Sequence, residues 1–136
     1  MRSSEHGSFA VETALAVPIL LMAILLLQLA WRVSVANSDV QNAAATAARA
    51  ASLTSRSRAT SAAQAAAAAT LADRNITCRS LNVRTDTSRF EPAGTVTVQV
   101  RCTADLSDLT LLGIPGTHVA DASATEVIDR YRGTER

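Results

Sequence analysis

Between Thr13 and Trp31 the chain carries no charged residue, and Ile19–Leu27 is almost wholly aliphatic. A helix over those residues, rising about 1.5 Å per residue, spans roughly 29 Å, which matches the hydrocarbon thickness of a bilayer. Trp31 and Arg32 follow directly, an aromatic and a cation where a membrane interface would fall. This stretch is therefore expected to be a transmembrane helix. Pro18 lies in its first two turns, where a missing backbone donor costs less than it would in the middle.

The remainder has little with which to build a core. The chain has 136 residues, 48% of them hydrophobic, but about one residue in five is Ala and 3% are aromatic. Ala favours helix without burying much area, so a domain outside the span has a thin core and needs further support. The net charge is +1, and all 13 basic residues are Arg. That balance argues against electrostatic nucleic-acid binding.

Two residues qualify the membrane segment. Glu12 sits one turn before the apolar run, and Gly7 lies five residues earlier, after the polar stretch Met1–Gly7. A carboxylate costs about 2.5–3.5 kcal/mol at the membrane centre and less near its edge. Glu12 has two readings: a solvated residue favoured by the helix dipole, or an ionic partner within an assembly.

The spacing Gly7-Ser8-Phe9-Ala10-Val11-Glu12 resembles the processing site of type IV prepilins. There a membrane peptidase cuts after Gly and leaves Glu as the fifth residue. Gly7 through Pro18 further resembles the G-x-x-x-V-E-x-A-L-x-x-P opening of the TadE-like family. Gln41-Asn42-Ala43-Ala44-Ala45-Thr46-Ala47-Ala48-Arg49 resembles its Asn-Ala-Ala…Ala-Arg segment. The resemblance covers about residues 7–51. It departs from type IV pilins in placing Ser8 first after the Gly and Phe9 second, where those usually carry a large apolar residue first.

The resemblance implies a pseudopilin or minor pilin of a tight-adherence pilus or related secretion machine, and no enzyme. Residues 1–7 would be a leader cut between Gly7 and Ser8, and 8–51 a transmembrane and assembly helix with its span near 13–31. Residues 52–136 would form a small extracytoplasmic domain. A prepilin peptidase, other pilin-like subunits and the pilus assembly platform would be partners in a bacterial cell membrane. The N-terminus would be cytoplasmic, and the subunit could reach a surface pilus. Cleavage would create an amine at Ser8 that a neighbour's Glu12 could pair with, offsetting the desolvation of both. Pro18 belongs to the same assembly element.

A rival reading makes this an exported protein or ligand-binding module, whose apolar segment serves only as signal peptide or anchor. Ser34-Val35-Ala36 offers the small residues a signal peptidase reads. Against removal there, the apolar run exceeds the usual signal length, Glu12 precedes it, and Trp31-Arg32 separates it from the cut. An uncleaved scaffold anchor differs from the pseudopilin only at Gly7.

Downstream an α+β arrangement is expected. Val33, Ala36, Val40, Ala43, Ala47 and Ala50 follow helical spacing on one stripe, with Asp39, Asn42, Thr46 and Arg49 largely off it. Ala43, Ala47 and Ala51 form a small-xxx-small series suited to close helix approach, either to neighbouring subunits or to the chain's own domain. Ser52–Arg58 reads as a loop. A second helix is expected from Ser61, with a Ser61/Gln64 capping box, to about Asp73.

The last third alternates. Val96, Val98, Val100 and Cys102 share one face of a strand. Ile76–Val83 is its expected partner across an Glu91-Pro92-Ala93-Gly94 turn, and a third strand is expected near His118–Ile128, after a turn at Gly113–Gly116. Cys78 and Cys102 fall on strands expected to pair. A disulfide there closes a loop of about 25 residues, worth roughly 3 kcal/mol; two free thiols are the alternative.

No catalytic constellation or cofactor site is legible. Two Cys and two distant His make no zinc site. No Gly-rich phosphate loop occurs, and Asp105 with Asp108 has no further ligands nearby. No small-molecule substrate is expected. Asp129–Gly133 reads as a solvated tail or a partner contact.

Overall fold

Residues 5–105 and 115–131 are described by the computed structural model, with side chains in the first helix from Glu12 onward. Asp108, the Gly113-Ile114 half of the expected turn and Arg132-Gly133 lie outside the described residues.

The charge-free run and the Ala-rich stretch after it form one helix, α1, from Glu5 to Ser52. The helix begins at Glu5, so Pro18 lies inside it, almost four turns in and not within its first two turns as expected, and no glycine follows it until residue 94. A three-residue turn, 53–55, leads into α2, Arg56–Asp73. The second helix thus starts five residues before the expected Ser61. Ser61 lies inside it, its hydroxyl donating to the Arg58 carbonyl at 2.9 Å instead of capping. The N-cap is Ser55, whose side chain caps no backbone donor. Arg56 and Arg58 are good helix formers, and two arginines are no barrier to a helix whose other flank is polyalanine.

The C-terminus of α2 is closed by a Schellman motif. Asn75 takes a left-handed conformation, φ 56°, which its short polar side chain tolerates. Its N–H donates to the Ala72 carbonyl at 2.9 Å, and the Ile76 N–H to the Leu71 carbonyl at 3.0 Å.

Three antiparallel strands follow in the order β1-β2-β3: Ser80–Asp86, Thr95–Asp105 and Thr117–Val127. β2 and β3 fall where alternation places them. β1 is shifted from the expected Ile76–Val83, because the Schellman turn consumes Asn75 and Ile76 before the chain can extend. Leu81 faces Cys102, Val83 faces Val100, and Val100 faces Ala122 on the other side. Between β1 and β2, Gly94 is obligatory, since a Cβ there would collide with the Arg89 and Glu91 carbonyl oxygens. In the same connection the Ser88 N–H donates to Asp86 Oδ1 at 2.9 Å. That bond, with help from the Ser88 hydroxyl, holds the Asp86 carboxyl below its ordinary value.

One core joins these elements. Val96, Val98, Val100 and Cys102 turn inward from β2 and meet Val40, Ala43, Ala44, Ala47, Ala48 and Ala51 of α1, with Ala59, Ala63, Ala67 and Leu71 of α2. Its largest fully buried side chains are valines, so close approach of backbones stands in for bulk. The alanine series of α1 is buried within its own chain, packed among α2, β2 and β3.

Candidate functional site: the N-terminal helix and its junction with the head

α1 has two lengths of opposite character. From Glu12 to Gln28 every residue is exposed, including Leu15, Ile19, Leu20, Met22, Leu26 and Leu27, each more than 60% accessible. Exposed apolar surface as continuous as this marks an interaction surface, for lipid or for protein. α1 is long and apolar enough to cross a membrane. From Ala36 onward the same helix is embedded in the α+β head.

Gly7, Ser8, Glu12 and Pro18 lie along this one helix. Ser8 and Glu12 are four residues, about one turn, apart along it. Glu12 is exposed, and within a single chain it stands at the threshold of the apolar sleeve.

The junction between sleeve and head holds polar contacts that helical spacing did not reveal. Asp39, expected off the buried stripe, is 6% exposed. Arg74, next to the Schellman turn, donates from Nη1 to Asp39 Oδ1 at 2.9 Å, with its own side chain 53% exposed. Burial of a carboxylate this deep needs a paired charge, and Arg74 supplies it. Asp39 sits three residues after Ala36 and four before Ala43, so helical spacing did put it beside the buried face. Only its polarity argued it outward. A second contact ties the start of β3 to α1: His118 Nε2 lies 3.2 Å from Asn37 Oδ1.

Both contacts orient the head. Asn37 is about 9 Å beyond Trp31 at 1.5 Å per residue, and His118 faces Ala104 at the end of β2. The β2–β3 end of the sheet and the C-terminal end of α2 therefore sit at the span-proximal end, and the α1–α2 turn is distal.

Cys78 and Cys102 are joined in a disulfide, Cα–Cα 5.4 Å. Cys102 is on β2 as expected, whereas Cys78 lies two residues ahead of β1. The bond therefore ties the α2–β1 connection, rather than a second strand, to the sheet.

No curated protein and no solved structure matches the chain. A family model does: residues 7–49 match the one described as TadE-like protein. The matched stretch takes in Gly7, Ser8, Glu12, Pro18, the whole exposed sleeve and the part of α1 that bears Asp39 and the buried alanines. Over Gly7 to Arg49, about a third of its length, the chain is similar to the TadE-like family.

Proposed function

We propose that this chain is a pseudopilin-like structural subunit, not an enzyme, that serves assembly of a tight-adherence (Flp-type) pilus or a related secretion machine. α1 anchors it in the bacterial cell membrane, with the N-terminus cytoplasmic and the disulfide-bonded head outside. The carrying observation is the bare apolar sleeve of α1, preceded by Glu12 and running without a break into the head. A subunit of this kind offers the sleeve first to lipid and then to the sleeves of neighbouring subunits. Prepilin peptidase, acting between Gly7 and Ser8, would free an amine at Ser8, and Glu12 of an adjacent subunit would neutralise it. Ala36 is buried and Asn37 bonds to β3. A signal-peptidase cut between them would sever α1 at the head's own junction, which weighs against the export reading.

The test is Glu12→Gln in the full chain, co-expressed with the peptidase and the other pilin-like subunits. The variant is expected to insert and to lose residues 1–7 normally, yet to co-purify with its partners about tenfold less, equivalent to about 1.4 kcal/mol per contact. A helix-start role alone is worth about 0.3–1 kcal/mol and would leave co-purification near normal, which would sink the pairing. Gly7→Ala serves as the control that blocks cleavage. A mature chain beginning at Asn37 would refute the pilin-like reading altogether.

A further inference from the structure

The chain has four asparagines, Asn37, Asn42, Asn75 and Asn82, and only Asn75 begins the pattern Asn-x-Thr, as Asn75-Ile76-Thr77. That triplet is the acceptor signal for N-linked glycan transfer on exposed surfaces outside the cytoplasm. Asn75 taken alone has a backbone explanation. It fills the left-handed position after α2, which glycine and asparagine both accept. The threonine two residues on has no such explanation.

Both side chains are placed where a transferase can reach them. The triplet lies in the irregular connection 74–79, between the end of α2 and the start of β1. Asn75 and Thr77 are exposed, and both line an open groove of about 450 Å³ at this corner of the head. Among the described residues, neither the Asn75 carboxamide nor the Thr77 hydroxyl makes a hydrogen bond. The backbone N–H groups of Arg74, Asn75, Ile76 and Arg79 are each bonded, whereas Thr77 takes no part in a backbone hydrogen bond. Thr77 can thus be drawn out of the connection without breaking one. Asp73, exposed two residues before the acceptor, adds a carboxylate that a cationic side chain of the transferase can hold.

We propose that Asn75 is an N-glycosylation site, modified by a membrane-embedded transferase whose donor is an oligosaccharide on a polyprenyl pyrophosphate. The proposal rests on the reading that the head lies outside the cytoplasm. In the transfer, Asn75 Nδ2 attacks the donor's C1. The N–C1 bond forms as the bond from C1 to the pyrophosphate oxygen breaks, one amide proton is lost, and the lipid pyrophosphate leaves with the bonding pair. The Thr77 hydroxyl and the Asp73 carboxylate hold the acceptor against the transferase. Position favours the reaction as well. Asn75 follows Arg74, which is bonded to Asp39, and Asp39 is eight residues beyond Trp31, about 12 Å along α1. The acceptor is therefore at the span-proximal end of the head, on the side where a lipid-borne donor is held.

The experiment takes the full chain from the envelope of the bacterium that makes it and maps its peptides by mass spectrometry, with fragmentation that leaves a glycan on its residue. A saccharide on Asn75 is expected. It is expected to be lost in Asn75→Gly, which keeps the left-handed corner, and in Thr77→Ala, which keeps Asn75. An intact Cys78–Cys102 bond in each variant certifies that the head has folded. A bare Asn75 in the parent chain, or a glycan that survives Thr77→Ala, would overturn the proposal. Protease added to intact spheroplasts reports separately on the side of the membrane. A digested head with a bare Asn75 overturns the glycosylation alone, whereas a protected head overturns its extracytoplasmic location too.

Discussion

Asp39 and Arg74 show what a single side chain contributes here, and their contributions are unequal. Asp39 is buried, whereas Arg74 keeps about half its surface in water. Removing the carboxylate returns Arg74 to solvent at little cost. Removing Arg74 leaves a buried charge uncompensated. Arg74→Ala is therefore expected to destabilise the head by about 2–3 kcal/mol and Asp39→Asn by about 1 kcal/mol, measured by denaturation of the detergent-solubilised chain. Equal losses, or a larger loss for Asp39→Asn, would contradict this account. At this scale the sequence was legible where chemistry is local. Glu12 stood out because a carboxylate adjoins an apolar run, and the two cysteines stood out by being the only pair. Asp39 was misplaced because its polarity argued it outward, and the Arg74 that compensates its burial is 35 residues away in sequence.

Elements were legible in proportion to how strongly their pattern repeats. β2 and β3 alternate over many residues, and α1 is apolar and then alanine-rich throughout, so their existence was readable, although β2 runs on to Asp105 and α1 begins at Glu5. The start of α2 was not. Ser55 to Arg58 is polar like a loop, and only the buried face Ala59-Ala63-Ala67-Leu71 shows that the helix must begin before Ala59. β1 slipped for a related reason: Asn75 adopts a conformation that propensity does not announce, and the strand starts only after it. The interface of α1 and α2 is made of alanines with no exposed surface, so added volume there has nowhere to go. Ala63→Leu is expected to cost about 1–3 kcal/mol through overpacking, while Ala65→Leu, on the exposed face of α2, is expected to change stability by less than about 0.5 kcal/mol. Thermal unfolding of the two variants followed by circular dichroism separates them. Similar effects would mean the helices are not in close contact.

At the scale of the whole molecule, a head cored by alanine and valine depends on cross-links. Cys78→Ala with Cys102→Ala is expected to lose about 3 kcal/mol, the value for a closed loop of this order. Denaturation of the double variant beside the parent gives the comparison, with the helical signal of the apolar sleeve persisting after the head unfolds. An unchanged midpoint would show that the bond is dispensable. The fold class could be read from the switch between helical and alternating periods, but the sharing of one core by α1 and the sheet could not, since no local pattern records which faces meet. That sharing has a mechanical consequence. The helix that is long and apolar enough to cross a bilayer is also the central beam of the head, with Asn37 and Asp39 pinning β3 and α2 to it. Among the described residues, α1 runs from the sleeve into the head as one helix. A tilt or twist applied to the sleeve beyond Pro18 would be carried to the head along this one helix. Because each residue turns an α-helix by about 100°, the number of residues between Trp31 and Asp39 sets the compass bearing at which the head points away from its own axis. A ring or column of such subunits, packed through their sleeves, would present every head at that one bearing.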